Sequence, residues 1–165
     1  MHELDKAQQI ALKGPAAEAA LAALRRQIGA WGLGLPPVEP LVLDFGLGDF
    51  PRVGLIEYWI ANQPEAGYCA KYLFVFDGQT CPAHHHRQKH ETFFILRGEV
   101  RMLYDAHERR MGPGDVQPVE RGRQHSFTGL GPALLLEVST PCVVEDNDFA
   151  DPAIPIGGNW RGRQP

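Results

Sequence analysis

Four of the chain's seven histidines, His84, His85, His86 and His90, crowd into positions 84–90, and Glu91 follows directly. On an extended segment, side chains two apart share a face, so His84 and His86 project together while His85 points away. Glu91 opens the next apolar segment and can return to that face across a turn. Two imidazoles and a carboxylate on one wall are ligand chemistry for a divalent metal such as Mn, Fe, Co, Ni or Zn. His125, which alternates with Phe127 on a later segment, is the candidate that completes the set. A surface reading competes, because Arg87, Lys89 and His90 interleave with these residues, but the regular spacing on both sides favours the metal. An ion so held keeps positions open for substrate oxygens and acts there as a Lewis acid.

Two charged residues occur in otherwise apolar segments. Lysine is scarce, found only at Lys6, Lys13, Lys71 and Lys89, and Lys71 lies inside Tyr68-Cys-Ala-Lys-Tyr-Leu-Phe-Val-Phe76. It alternates with Cys69, Leu73 and Val75. If that set faces inward, an ammonium enters the interior near the metal, where desolvation lowers its pKa toward a range useful for acid–base work. The alternative is an edge position with the head in water. Glu137, in Ala133-Leu-Leu-Leu-Glu-Val-Ser-Thr140, alternates with Leu135 and Ser139. Burying it is costly without a partner, so it is either paired, at a strand edge, or a base. A divalent metal, a lysine and a glutamate together suit proton transfer beside a carbonyl, as in aldose–ketose isomerisation. The carboxylate would move a proton between C1 and C2 of an open-chain sugar through a cis-enediol while the lysine serves the oxygens. A hydride shift is the competing route.

The elements that must position these groups change character along the chain. Residues 1–40 are expected to form a helical segment packing on the rest, with a short helix over 5–12 and a better one from Pro15 to Gly29. Leu21, Leu24, Ile28 and Trp31 recur there at helical spacing, and Pro15 suits a first turn. The Ala/Leu face of 16–28 would either cap an open end of the protein's own barrel or meet a second subunit. From Leu41 onward short branched and aromatic runs alternate with turn signals: Leu41–Phe45, Val53–Ile60, Tyr68–Phe76, Thr92–Leu96, Val100–Tyr104 and Ala133–Val138. Such a pattern predicts an all-β antiparallel sandwich or barrel over 41–154. Residues 155–165, with Arg161 and Arg163, read as a tail.

Composition narrows the setting. In 165 residues, sixteen Lys+Arg against twenty Asp+Glu give a net charge of −4, which argues against nucleic acid or an anionic membrane as partner. Three cysteines, Cys69, Cys81 and Cys142, are too few for a disulfide framework and point to a reducing, cytoplasmic setting. No basic stretch precedes an apolar one at the N-terminus, so no signal peptide is expected, and no apolar run approaches the roughly 18 residues of a membrane span.

The spacing also carries a resemblance. Gly78, five residues, His84, one, His86, four, Glu91, six, Gly98 is similar, position for position, to the first motif of the cupin superfamily. Gly114-Asp115, Gly122 and His125 resemble the second, with Glu120 where Pro is usual and Gly129 where Asn is usual. The resemblance implies a jelly-roll β-barrel with His84, His86, Glu91 and His125 as ligands. It sharpens further along the chain. Asp44-Phe-Gly-Leu-Gly48, Val53-Gly-Leu55, Tyr68-Cys-Ala-Lys71, Gly78-Gln-Thr-Cys-Pro-Ala-His84, Gln88-Lys-His-Glu-Thr-Phe93, Glu137-Val-Ser-Thr140 and Asp148-Phe-Ala-Asp-Pro-Ala-Ile154 together resemble the D-lyxose isomerase family of cupins. What this implies is a manganese-dependent interconversion of D-lyxose with D-xylulose, with D-mannose and D-fructose a second pair. Lys71 and Glu137 then match catalytic residues, and Asp146 or Asp148 a further acidic residue at the pocket. A small sugar is the implied partner and a homodimer the implied assembly. A non-catalytic sugar-binding or regulatory cupin, and an iron cupin dioxygenase, are the alternatives.

Overall fold

The computed structural model describes residues 2–159. Two helices come first, α1 (Glu3–Ile10) and α2 (Pro15–Ala30), and the strands follow. These are β1 (Leu41–Leu43), β2 (Leu55–Gln63), β3 (Tyr68–Val75), β4 (Thr80–His85), β5 (Glu91–Arg97), β6 (Val100–Tyr104), β7 (His107–Met111), β8 (Val116–Val119), β9 (His125–Gly129), β10 (Ala133–Ser139) and β11 (Asp148–Phe149). They pair antiparallel into a six-stranded sheet, β1-β2-β3-β10-β5-β8, and a five-stranded sheet, β11-β4-β9-β6-β7. The result is the sandwich that the recurring short strands predict. Among the described residues no helix is long and apolar enough to cross a membrane.

Alternation decides which side chains enter the space between the sheets. On β3, Cys69, Lys71, Leu73 and Val75 are all buried and face inward with Leu55, Phe93, Ile95 and Leu135. Phe74 faces outward, where it meets a second core built by α2. Ala17, Ala20, Leu24 and Ile28, three or four residues apart on α2, pack there on Val42, Ile56, Tyr58 and Leu134. This settles the role of the Ala/Leu face: α2 covers the outer side of the six-stranded sheet and does not cap a barrel end. That sheet is apolar on both faces, and its outer one needs the cover.

The shorter helix takes the position at the interior. Ala7 of α1 is buried in the inner core, with Leu4, Ile10 and Ala11 packed against it. Polar ties hold α1 in place. Lys6 Nζ lies 2.7 Å from both Glu3 Oε1 and Glu145 Oε1, and the Val144 N–H donates to Glu3 Oε2 at 2.6 Å.

Two edge strands escape the apolar signal for physical reasons. The first four residues of β7 (His-Glu-Arg-Arg) are exposed, and among the described residues it pairs with β6 alone. Pro118 is accommodated in β8 because that strand closes the sheet edge, where a missing N–H costs nothing. The glycine that ends the first motif has a steric reason. Gly98 turns from β5 to β6 at φ 71°, and a Cβ there would strike the backbone of Pro132 and Ala133. Arg161 and Arg163 of the expected tail lie outside the described residues.

Leu24 is fully buried between α2 and the sheet. Leu24→Ala should therefore cost about 2–5 kcal/mol. Exposed Lys13→Ala should stay within about 0.5 kcal/mol of the parent. Urea unfolding midpoints check both.

Candidate metal centre and its cleft

Four side chains meet at the inner end of the sandwich. His84 on β4, His86 just after it, Glu91 at the start of β5 and His125 at the start of β9 are all buried. Their ligand atoms lie within 4.8 Å of one another. His84 and His125 are register partners across β4 and β9, which sets their rings 4.3 Å apart.

Each imidazole is fixed by a backbone carbonyl. His84 Nδ1 lies 2.8 Å from Pro82 O, His86 Nδ1 3.0 Å from Asp146 O, and His125 Nδ1 3.0 Å from Arg123 O. A carbonyl can only accept, so Nδ1 carries the proton and Nε2 presents a lone pair. His86 Nε2 and His125 Nε2 sit 3.2 and 2.8 Å from Glu91 Oε1. With that tautomer these are lone pairs facing lone pairs, and all three atoms are buried without a hydrogen-bond partner. Burial, with the neighbouring imidazoles, pushes the His84 pKa well below its ordinary value and keeps the ring neutral. Four convergent donor atoms, two of them aimed at one carboxylate oxygen, fit a divalent cation held by nitrogen and oxygen.

A buried chain of charges runs from this centre into the sandwich. Lys89 Nζ lies 2.5 Å from Glu91 Oε2 and 2.7 Å from Glu137 Oε1, and the Ser139 hydroxyl donates to the same Glu137 oxygen at 3.1 Å. Glu137 on β10 is the register partner of Lys71 on β3. Lys71 Nζ lies 3.3 Å from Glu57 Oε2, 3.4 Å from Cys142 Sγ and 4.2 Å from the centre of the Trp59 ring. The Trp59 indole N–H also donates to Glu57 Oε2, at 2.6 Å.

The Lys71 pKa corrects the sequence expectation. Burial by itself lowers it, but the Cys142 sulfur and the Glu57 and Glu137 carboxylates raise it, and the raising side prevails. Lys71 is therefore a firmly held ammonium, able to donate a proton or a hydrogen bond but not poised as a neutral base. Lys89 is held above its ordinary value in the same way, by Glu137 and Glu91 against burial. Burial would raise Glu91, yet the Lys89 ammonium holds it well below the usual carboxylate range.

The acidic pair at the end of the chain serves the scaffold. Asp146 is buried, and its carboxylate accepts the backbone N–H groups of Arg87, Gln88 and Lys89 at 2.9–3.1 Å. With its carbonyl on His86, Asp146 clamps the loop that carries both a ligand and Lys89. Asp148 pairs outside with Arg87 at 3.0 Å and His85 at 3.6 Å. Neither carboxylate lines the cleft. His90 is exposed.

Sequence reasoning missed Lys89 and Glu57. The signal for Glu57 was available, since it alternates with Leu55 and Trp59 as Lys71 does with its neighbours. Lys89 gave none, because its burial depends on a loop tied down by a residue nearly sixty positions later. The space between these groups has two neighbouring parts. An inner one touches His84, Lys89, Glu91 and Glu137, and an outer one reaches α1. Glu57, Lys71 and Asn147 line both.

Comparison with known proteins agrees with this architecture. Residues 74–139 match the cupin domain family. A D-lyxose/D-mannose isomerase of Thermosediminibacter oceani is 32% identical over 141 residues, covering 68% of this chain and 77% of that one. A D-lyxose ketol-isomerase of Cohnella laeviribosi is 31% identical over 155 residues, covering 74% and 84%. Among solved structures, the L-ribose isomerase of Acinetobacter sp. DL28 in complex with L-ribose superposes with a TM-score of 0.71 over 88% of this chain and 95% of that one. At 16% identity that likeness speaks for the fold alone.

Asp146→Ala should weaken divalent-ion binding by roughly 10–100-fold, because it frees the loop holding His86. Asp148→Ala should leave it within about twofold, since that carboxylate meets the side chains of Arg87 and His85 and does not tie down the loop. Calorimetric titration of stripped protein with Mn²⁺ measures both.

Proposed function

Since the chain belongs to the D-lyxose isomerase family of the cupin superfamily and is a sugar isomerase, we propose that it interconverts D-lyxose and D-xylulose at the His84–His86–Glu91–His125 centre, with D-mannose and D-fructose as a second pair. The observation that carries this reading is the register pairing of Glu137 with Lys71, both buried against the cleft that His84 and Glu91 also line. Bound by the four ligands, a divalent ion, in this reading manganese, supplies a Lewis acid for the sugar carbonyl and a hold on two neighbouring oxygens.

The chain's own residues supply the rest. Glu137 accepts the proton from C2 of the open-chain aldose and returns it to C1, through a cis-enediol. The O2 proton passes to O1, and the Lys71 ammonium serves this exchange by donating to the oxygen that becomes negative and recovering the proton from the other. Lys89 bridges Glu91 and Glu137 and so keeps the base aimed. Apolar walls from Leu73, Phe93 and Phe127 exclude water and strengthen these charges. A module that only binds sugar has no use for so many buried charges beside its ligand.

The same reading makes the protein a cytoplasmic homodimer. The three free, buried cysteines support the compartment. Exposed Ile60, Tyr68 and Val138 near one end of the six-stranded sheet support the assembly.

Lys71→Ala and Glu137→Gln should each lower turnover by about 10²–10⁴-fold. Both should retain near-stoichiometric metal. Ketose formation across a panel of aldopentoses and aldohexoses, followed by NMR on Mn-loaded protein, tests the assignment; full turnover by both variants, or silence across the panel, contradicts it. Run in D₂O, the reaction should place some deuterium at C1 of the ketose, because the proton held by Glu137 exchanges with solvent in a fraction of turnovers before it is returned. Complete retention of the substrate hydrogen would instead favour a hydride shift.

A further inference from the structure

The outer part of the cleft differs in chemistry from the inner part. Glu57 and Lys71 stand where the two parts join and are its last charged groups. The Asn147 amide at the same junction donates to Val143 O and Val144 O at 3.3 and 2.8 Å. Beyond them the wall is mostly apolar, with Ala7 and Ile10 from α1 facing Leu43, Phe45 and Ile156.

This wall is held rigidly. Phe45 adopts φ 54°, a conformation that costs a non-glycine residue energy and persists only where surroundings enforce it. Asp44 enforces it by accepting the N–H groups of Gly46 and Gly48 at 3.0 and 3.2 Å. The Phe45 ring meets Phe149 edge-on at 5.4 Å, and Phe149 in turn lies 5.4 Å from the His84 ring. An aromatic chain thus ties the wall to a ligand of the centre. The Lys6–Glu145 and Glu3–Val144 contacts fix the helical side.

We infer that α1, through Ala7 and Ile10, sets the length of the sugar chain the site accepts, favouring five carbons over six. The inference takes from the proposed function only the orientation of the sugar, with C1 and C2 at the His/Glu centre. Hydroxyls near the junction then meet Glu57 and Lys71. The hydroxymethyl group of a six-carbon chain enters the mostly apolar end, where its hydroxyl gives up water for hydrocarbon contacts. Discrimination by one such group is about tenfold or more.

Inert open-chain alditols separate binding from chemistry. Calorimetry on metal-loaded wild type should show D-arabinitol binding roughly tenfold tighter than D-mannitol. Ile10→Ala, which enlarges the far end, should bring the two within about twofold, chiefly by improving D-mannitol. Ala7→Val, which fills it, should weaken D-mannitol further, and provides the test should Ile10→Ala fail to fold. Equal affinity of wild type for both alditols, no binding of either, or an unchanged ratio in the folded variants overturns the inference. A shifted ratio in a protein that makes no ketose from any aldose would sustain it while refuting the isomerase mechanism.

Discussion

Three imidazole nitrogens and a carboxylate oxygen converge at the centre of this protein with lone pairs facing one another. Each imidazole has spent its only proton on a backbone carbonyl, so Nε2 cannot donate to Glu91. At 2.8 Å, inside a dry core, the His125–Glu91 approach is repulsive unless a cation lies among the four. The charges behind it point the same way. Among the described residues the cationic partners of Glu57, Glu91 and Glu137 are Lys71 and Lys89, two ammonium groups for three carboxyl groups. Much of the surrounding structure can be understood as what makes this arrangement tolerable.

Charge then propagates along defined contacts. Glu91 gives one oxygen to the centre and the other to Lys89, and Lys89 reaches Glu137. Glu137 faces Lys71 across two strands, and Lys71 closes on Glu57 and the Trp59 ring. Isolated buried ions are costly, whereas alternating ones in contact offset one another. The same alternation gives the cleft an ammonium at one strand and a carboxylate at the next, oriented by strand register and not by flexible loops. The exception is Lys89, whose loop needs the Asp146 clamp.

What the sequence made legible follows from period-two alternation. His84 and His86 share a face, His125 alternates with Phe127, and Lys71 and Glu137 each alternate with buried apolar neighbours; local pattern suffices for all of them. The sandwich was legible for the same reason, except at the edge strands β7 and β8, which carry polar residues or proline, and β11, which is two residues long. Lys89 was not legible, since its neighbours Gln88 and His90 are exposed and only Asp146 turns it inward. Nor was the use of the helices. Amphipathic spacing marks α2 as packing on something, but the outer face of a sheet and the end of a barrel ask for the same residues. The small size of Ala7 at the cleft carries meaning only once α1 is seen to lie there.

The central claim concerns protons and lone pairs, and ¹⁵N NMR of the histidine side chains reads these directly. With one equivalent of Zn²⁺, His84, His86 and His125 should all be Nδ1–H tautomers, with three unprotonated Nε2 resonances that move on adding the ion and return on chelation. An Nε2–H on any of the three, or imidazole resonances indifferent to the ion, would contradict the account.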